Sequence, residues 1–261
     1  MNHVANGREL EGRVALVTGV TRRAGIGAAI ARELANAGAK LFVAFFRKYD
    51  QRQPWGLEAS EPEALINELR VLSDVCGLEI DLGLASAPRE LIERTLAQFG
   101  RIDVLVNNAA HWEPGGVDHV DAAQLDRHYA VNTRATVLLC VEFARCESAR
   151  GPRRIVNITS GQGAGPMPDE LAYVVTKAAL DALTVTLSAE LAPRSITVNA
   201  IDPGPTDTGW LSLEQKAELL RRGKLALPVD TARLVRLLAR DDAASVTGQI
   251  IRVRPGRMSA T

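Results

Sequence analysis

The sequence predicts a doubly wound α/β fold with a seven-stranded, mostly parallel sheet and helices on both faces. Short β-branched apolar runs alternate with longer helical patterns along the chain. The apolar runs are nearly continuous, with no strict polar alternation, which is typical of parallel strands buried on both faces. Repeated strand–helix alternation also implies right-handed crossovers that cover the sheet on both sides.

Seven strand candidates follow one another at residues 13–18, 40–46, 78–81, 104–107, 154–159, 196–200 and 249–253. Helical patterns lie between them at 26–37, 62–72, 87–99, 121–144, 171–191 and 231–239. Gly38 and Gly100 follow helical patterns, where a left-handed cap is expected. Segments 47–61 and 202–224 are the least regular. The second contains a Pro-Gly-Pro turn and a short amphipathic stretch, and it is a candidate lid over a site.

Length and charge predict one soluble domain. No linker or repeat divides the 261 residues, so we expect a single domain over 1–261 with a short polar extension at 1–11. The 31 basic and 31 acidic residues cancel, which leaves no overall attraction to nucleic acid or an anionic membrane. No apolar run reads as long enough to span a bilayer, and the N-terminus lacks a signal-peptide core. We therefore expect a cytoplasmic protein.

The cysteines and histidines are scattered along the chain. Cys76, Cys140 and Cys146 form no CxxC motif, and the four histidines form no HxxH or HExxH motif. We therefore expect reduced thiols and no bound metal.

Tyr173 and Lys177 are the first candidate catalytic residues. Four residues apart, they lie one turn apart on one face of a helix. An ammonium beside a phenol favours the phenolate, so we expect Lys177 to lower the Tyr173 pKa and make it a proton donor or acceptor. Ser160 lies thirteen residues before the tyrosine. Alone, each residue also fits an ordinary packing or surface role.

A glycine-rich turn joins the first strand to the first helix, from Thr18 to Gly27. Glycines allow positive φ and a close backbone approach, and a helix N-terminus offers free amide donors to a pyrophosphate. The spacing differs from GxGxxG, so the turn alone also fits a plain strand–helix connection.

Arginines near the ends of the first two strands indicate NADP(H). An acidic residue at the end of the second strand would select NAD, but this chain has Phe46-Arg47-Lys48. Arginine suits a 2′-phosphate through charge-assisted hydrogen bonds. We predict that Arg47 and one of Arg22 or Arg23 contact that phosphate. Asp50 is the competing feature: if the second strand runs longer, Asp50 can reach the ribose, and NAD(H) is again a candidate cofactor.

Together these motifs resemble the short-chain dehydrogenase/reductase family in its single-domain branch, from about Gly12 to about Val253. The glycine turn is similar to the family's TGxxxGxG loop, and residues 107–110 to its NNAG motif. The resemblance implies a Rossmann-type fold. It also implies a catalytic tetrad, Asn132, Ser160, Tyr173 and Lys177. The dinucleotide contacts that it implies are Gly19, Gly25, Ile26, Asp81, Leu82, Asn108, Ala109, Tyr173, Lys177, Pro203, Gly204, Thr206 and Thr208.

Three departures from the family pattern stand out. The glycine loop is two residues longer, as in the family's enoyl reductases, although those space their tyrosine and lysine more widely. Ala110 replaces the last glycine of NNAG. Residues 253–256 read Val-Arg-Pro-Gly where many members have Val-Asp-Gly-Gly, which bears on the subunit packing of a dimer or tetramer.

The resemblance implies hydride transfer between nicotinamide and a carbonyl or secondary alcohol. Ser160 would bind the substrate oxygen, and Tyr173 would donate or accept the proton. Lys177 would lower the pKa of Tyr173, and Asn132 would hold a water of the proton relay. The leading function is an NADP(H)-dependent ketone reductase, with the 3-oxoacyl carrier-protein reductases as nearest relatives. The alternatives are an NAD-dependent alcohol dehydrogenase and, from another class, a non-enzymatic dinucleotide-binding regulator.

The substrate is expected to be a small carbonyl or alcohol, and a carrier-bound acyl group is one option. Residues that follow the fourth strand, and two further side chains, are candidates for the pocket wall: His111, Trp112, Glu113, Met167 and Trp210. A basic surface for a carrier arm would draw on Arg127, Arg134, Arg150, Arg153 and Arg154.

Overall fold

A computed structural model describes residues 8–146 and 151–254. Seven parallel strands form one sheet in the order β3-β2-β1-β4-β5-β6-β7. The strands are β1 (Val14–Thr18), β2 (Lys40–Phe45), β3 (Val75–Glu79), β4 (Val104–Asn107), β5 (Arg153–Ile158), β6 (Ile196–Asp202) and β7 (Ile250–Arg252). The predicted doubly wound α/β fold is confirmed.

Helices cover both faces of this sheet. They are α1 (Ile26–Asn36), α2 (Arg47–Gln51), α3 (Glu61–Arg70), α4 (Ala87–Phe99), α5 (Ala122–His128), α6 (Thr136–Arg145), α7 (Leu171–Leu191), α8 (Leu213–Arg221) and α9 (Pro228–Ala239). Alternate strand residues enter two separate cores. In β1, Ala15 and Val17 pack on one face and Leu16 on the other. Burial on both faces explains why the strands are almost wholly apolar.

Most predicted elements lie within two residues of their place, and Gly38 and Gly100 have the expected positive φ of 94° and 72°. The third strand is an exception. We predicted residues 78–81, but β3 begins at Val75 because its residues pair with β2, Leu41 with Val75 and Phe42 with Cys76. Segment 47–61 is also more regular than predicted, since it contains α2.

The helix predicted over 121–144 is interrupted. A π-helix, Tyr129–Ala135, separates α5 from α6. Such single-turn π segments interrupt α-helices mostly at functional positions. This one places Asn132 at its centre.

Helix α7 corrects our prediction about membrane spans. By length and composition alone, Leu171–Arg194 meets the criterion for a helix that could cross a bilayer. One face of it packs on β6 and buries polar residues, including Lys177 and Thr184. Other apolar side chains of the helix, such as Val175, remain exposed, so burial against the sheet accounts for only part of its apolar composition.

The sheet order creates the crevice where a site is expected. The chain winds from β1 toward β3 on one side and from β4 toward β7 on the other. Ligands in open α/β sheets bind beyond the carboxyl ends of the strands at such a reversal. In this chain that point lies above β1 and β4.

Candidate active site

A cavity of about 1160 Å³ opens at this edge of the sheet. Loops that follow β1, β2, β3 and β4 line it, together with the start of α1. Most of the sequence-predicted cofactor residues are among its lining residues: Gly19, Arg22, Gly25, Ile26, Asp81, Leu82, Asn108, Ala109 and Thr208. The structure therefore brings these predicted residues from four separate segments to one cavity.

The glycine loop is pressed against the end of β4. Gly19 has φ +74°, and a Cβ there would lie 2.8 Å from the Ala109 Cα. A Cβ on Gly27 would lie 2.3 Å from the Gly19 carbonyl oxygen. Asn108 fixes the two loops by donating from Nδ2 to the carbonyls of Thr18 and Gly19, at 2.9 and 3.1 Å. Only glycine fits these two positions.

Helix α1 begins at Ile26 beside the cavity without a side-chain cap. The first amide groups of a helix have no intrahelical partner and carry its positive dipole end. The uncapped start leaves these donors for an anionic ligand.

Arg22 provides a positive charge in the cavity, and it belongs to the lengthened glycine loop. Its Nε lies 3.1 Å from Asp50 Oδ1, and both side chains are mostly buried. Its guanidinium also lies over the Trp55 ring at 4.9 Å, and the Trp55 indole donates to Asp50 at 3.0 Å. Burial raises the pKa of Asp50, while the hydrogen bond from Trp55 and the charge of Arg22 oppose that rise.

The other two arginines that we predicted at the 2′-phosphate are held elsewhere. Arg47 forms ion pairs with Glu63 and Glu79, and Arg23 pairs with Glu68 at 2.6 Å. Neither lines the cavity. Of the three candidates, the structure brings only Arg22 to the predicted site.

Pro203, Gly204 and Thr206 form the turn after β6, behind the cavity lining. Gly204 takes φ +62°, and its amide donates to Asp202 Oδ1 at 2.9 Å. Thr206 is buried and donates to the Pro203 carbonyl at 3.1 Å. This turn positions Thr208 in the cavity wall.

Ser160, Tyr173 and Lys177 come together next to the cavity, but none of the three is among its lining residues. Ser160 lies two residues after β5, and its hydroxyl opposes the rise of the Tyr173 pKa. Lys177 is 2 % exposed, its Nζ donates to the Ile158 carbonyl at 2.8 Å, and it lies 5.8 Å from the Tyr173 ring centroid. Helix α7 therefore supplies two groups and the end of β5 supplies the third.

Burial sets the pKa values of Tyr173 and Lys177, and the direction for Tyr173 differs from our expectation. We predicted that Lys177 lowers the Tyr173 pKa, but desolvation raises the pKa of Tyr173 to about 12, and the charges of Glu170 and Asp202 add to that rise. Desolvation lowers the pKa of Lys177 to about 8, which the charge of Asp181 partly offsets. In this structure the phenol is thus a protonated acid beside an ammonium that titrates near neutral pH.

Asn132 is fully buried, and protein groups bond both the oxygen and the nitrogen of its side-chain amide. Oδ1 accepts from the His111 amide at 2.7 Å, and Nδ2 donates to the His111 carbonyl at 2.9 Å and to Thr176 Oγ1 at 3.0 Å. The Asn132 carbonyl accepts from Thr136 Oγ1 at 2.9 Å and has a second lone pair. A water held by Asn132 would bind the remaining lone pair of its backbone oxygen or of Oδ1.

Comparison with known proteins agrees with this geometry. A family model described as Enoyl-(Acyl carrier protein) reductase matches residues 19–257. A solved structure of a short chain dehydrogenase from Burkholderia cenocepacia J2315 in complex with NADP is 30% identical. It superposes with a TM-score of 0.83 over 95% of this chain and 98% of that one. The chain belongs to the short-chain dehydrogenase/reductase family.

Two curated relatives of this short-chain dehydrogenase/reductase extend the comparison. The uncharacterized oxidoreductase YjdA of Bacillus subtilis (strain 168) is 42% identical, covering 94% of this chain and 96% of its own length. The 3-oxoacyl-[acyl-carrier-protein] reductase FabG of Staphylococcus epidermidis is 32% identical, covering 93% and 97%. The chain is therefore an oxidoreductase of this family.

Several wall residues of the short-chain dehydrogenase/reductase site were not predicted as cofactor contacts. Tyr49, Trp55 and Arg134 line the cavity. Of the predicted wall residues, His111, Glu113 and Trp210 line it, whereas Trp112 and Met167 do not. The only sequence signal for Tyr49 is its place beside Asp50 after the second strand. Its hydrogen-bond partner, Trp112, is 63 residues away, so no local pattern indicates that contact.

The basic surface that we considered for a carrier arm is not formed as expected. Arg153 and Arg154 are 7% and 1% exposed and donate to backbone carbonyls, so that hypothesis is wrong for them. Arg127 pairs with Glu113 at 2.8 Å, and Arg134 donates to the Gly83 carbonyl. Arg150 lies outside the described residues.

We expect the activity of this short-chain dehydrogenase/reductase, assayed in the reductive direction, to fall as pH rises through about 8. Tyr173, with a pKa of about 12, stays protonated there, while Lys177, with a pKa of about 8, loses its charge. The profile of kcat/KM for the dinucleotide reports groups of the free enzyme and measures this directly. Asp181→Asn should move the fall to lower pH, because the Asp181 charge raises the Lys177 pKa. A profile flat up to pH 10 would contradict the assignment.

Proposed function

We propose that this chain is an NADP(H)-dependent ketone reductase that acts on 3-oxoacyl-type or related carbonyls. The observation that carries the proposal is the meeting of Ser160, Tyr173 and Lys177 beside a glycine-lined cavity that contains Arg22. The 3-oxoacyl reductase among the relatives supports the substrate class. A small carbonyl, free or carried by a thioester, is the substrate we propose.

The cavity residues fit a dinucleotide. Positions 19 and 27 admit no Cβ, and the start of α1 has no cap, as a closely approaching pyrophosphate requires. Asp81 and Leu82 line the same cavity and would contact the adenine. When bound, the nicotinamide supplies or accepts the hydride.

The chain's own residues would handle the proton. Ser160 would donate a hydrogen bond to the substrate oxygen and orient the carbonyl next to the Tyr173 phenol. Tyr173 Oη would donate its proton as negative charge develops on that oxygen. Lys177 would stabilise the phenolate that remains, because its ammonium lies close to the ring.

The Tyr173 proton must be replaced after each turnover. Lys177 Nζ donates one hydrogen bond to the Ile158 carbonyl, and a protonated ammonium has two further N–H donors. A water on the Asn132 carbonyl would continue the path towards solvent, and the π-helix holds that carbonyl in place. We propose this path as the relay.

The preference for NADP(H) rests on Arg22. Arg22 is the cavity arginine next to Asp50, and a 2′-phosphate would compete with that carboxylate for the guanidinium. The NADP bound to the Burkholderia neighbour supports this choice. Asp50 also lines the cavity, which favours the second candidate, an NAD-dependent alcohol dehydrogenase in which Asp50 binds the ribose.

Arg22→Ala should weaken NADPH binding by about 10- to 100-fold and leave NADH binding nearly unchanged, because a hydrogen bond to a charged group contributes about 1.5–3 kcal/mol. Titration of both dinucleotides into the wild type and the variant measures this. Arg23→Ala is the matched control, since Arg23 pairs with Glu68 and lies outside the cavity lining. If the wild type binds NADH more tightly than NADPH, our proposal is wrong and the NAD-dependent alcohol dehydrogenase takes its place.

We also propose a cytoplasmic homo-oligomer, a dimer or a tetramer. Apolar side chains on the outer face of α7, Leu171, Val175 and Val185, are 40%, 62% and 52% exposed, and a self-association surface would cover them. Residues 255 and 256 of the unusual tail lie outside the described residues.

A further inference from the structure

One segment of the chain crosses the mouth of the cavity. Residues 46–57, which we call the strap, follow β2 and include α2. In the sheet, β1 lies between β2 and β4, so a contact from the strap to the loop after β4 must pass above the end of β1. Two strand spacings make that span about 10 Å. The glycine loop lies directly beneath it.

Tyr49 makes the crossing contact. Its hydroxyl donates to the Trp112 carbonyl at 3.2 Å and accepts from the Trp112 amide at 3.1 Å. Its ring lies 5.3 Å from the His111 ring, and both rings line the cavity. A single side-chain oxygen therefore joins the strap to the opposite wall through two hydrogen bonds.

The strap is also tied to the glycine loop beneath it. Asp50 pairs with Arg22, and Trp55 stacks on the same guanidinium and donates to Asp50. The Phe46 amide donates to Thr21 Oγ1 at 3.4 Å. At its base, Arg47 holds the strap to Glu79 at the end of β3.

These contacts give the strap an inner and an outer face. Phe46, Tyr49, Asp50 and Trp55 line the cavity, whereas Lys48 and Gln51 are exposed. On the proposed function, a dinucleotide in this cavity would lie between the strap and the glycine loop. The bonds of Tyr49 to Trp112 would then hold the strap across its way out.

We propose that Tyr49 is a positioning residue that closes the strap over the bound dinucleotide and limits how fast it leaves. The inference rests on the proposed function only in requiring that a dinucleotide occupies the cavity. It assigns Tyr49 no part in choosing between NADPH and NADH, because its hydroxyl bonds the Trp112 backbone at the far wall, while Arg22 and Asp50 lie at the near one.

Tyr49→Phe tests this with little disturbance. Phenylalanine keeps the ring against His111 and removes both hydrogen bonds, each of which contributes about 1 kcal/mol. We expect the dissociation rate to rise by about tenfold or more, by the same factor for NADPH and NADH. Stopped-flow fluorescence, with bound reduced dinucleotide chased by excess oxidised dinucleotide, measures both rates.

Ser73→Ala is the matched control. It removes a hydroxyl that donates to the Ala39 carbonyl at 2.7 Å, beside the start of β2 and far from the cavity lining. We expect it to leave both dissociation rates unchanged. Thermal unfolding of the two variants checks that each is folded.

Three results would overturn the inference: unchanged dissociation rates in Tyr49→Phe, slower rates, or an increase for NADPH alone. The last would mean that Tyr49 acts through Arg22 and the 2′-phosphate. The chase requires binding only, so a protein that reduced none of the ketones offered would still give a result. Loss of ketone reduction and loss of dinucleotide retention are thus separate outcomes.

Discussion

Tyr173→Phe should lower kcat for carbonyl reduction by about 10³-fold and leave NADPH binding nearly unchanged. The phenol is the acidic group of the proposed site, and burial raises its pKa to about 12, which keeps it protonated at neutral pH. Phenylalanine retains the ring and its packing but has no proton to give. Loss of a positioned general acid costs about 10²–10⁴-fold. The reaction is followed by NADPH oxidation with a panel of 3-oxoacyl thioesters and simple ketones.

Two controls separate lost chemistry from lost structure in this variant. NADPH titration should give a dissociation constant within about twofold of wild type, and the thermal midpoint should be similar, because only one hydroxyl is removed. A variant that retained a tenth or more of the wild-type kcat would show that another group donates the proton.

Gly27→Ala should damage both stability and dinucleotide binding. The new Cβ would lie 2.3 Å from the Gly19 carbonyl oxygen and 2.7 Å from Asn108 Nδ2, and the nearer contact is backbone. The glycine loop or α1 must therefore shift. Overpacking of this kind costs about 1–3 kcal/mol of unfolding free energy. We expect the affinity for NADPH to fall at least tenfold, since the shifted loop is the one that approaches the pyrophosphate.

Gly165→Ala is the control for that substitution. Gly165 has open space around its Cβ position and no positive φ. Urea unfolding and NADPH titration of the two variants give the comparison. Equal stability and affinity in both variants would mean that the glycine loop tolerates a side chain at position 27. That result would contradict its proposed role as the pyrophosphate site.

The elements that the sequence predicted best are those whose pattern is local. Helices 87–99 and 171–191 and strand 104–107 match α4, α7 and β4 to the residue. Their limits depend on apolar spacing and caps within the segment itself, such as the left-handed Gly100. Strand β3 was misplaced because its extent is set by pairing with β2, and such pairing overrides local propensity.

The π-helix could not be predicted for a similar reason. Its widened turn coincides with the bonds that Asn132 makes to the His111 backbone, 21 residues away, and to Thr176, 44 residues away. No local pattern distinguishes these residues from an ordinary helix. The sequence motif identified Asn132 as a site residue, but it did not indicate which hydrogen bonds hold its side chain.

The partners of charged side chains and the direction of pKa shifts were harder to predict than the sequence motifs. Arg47 has the position expected of a 2′-phosphate ligand, yet Glu63 and Glu79, 16 and 32 residues away, pair with it. Arg22, by contrast, lies in the glycine loop and lines the cavity. The Tyr173–Lys177 spacing likewise predicted proximity, but the direction of the Tyr173 pKa depends on burial, which spacing does not give.

The most direct test of the proposed reaction follows the hydride itself. The protein is incubated with NADPH deuterated at the nicotinamide C4 and with a 3-oxoacyl thioester, and the product is examined by mass spectrometry. We expect deuterium on the new carbinol carbon with wild-type protein, and at least a hundredfold slower labelling with Tyr173→Phe. NADPH that binds tightly but transfers no label to any carbonyl offered would contradict the reductase assignment and favour a dinucleotide-binding regulator.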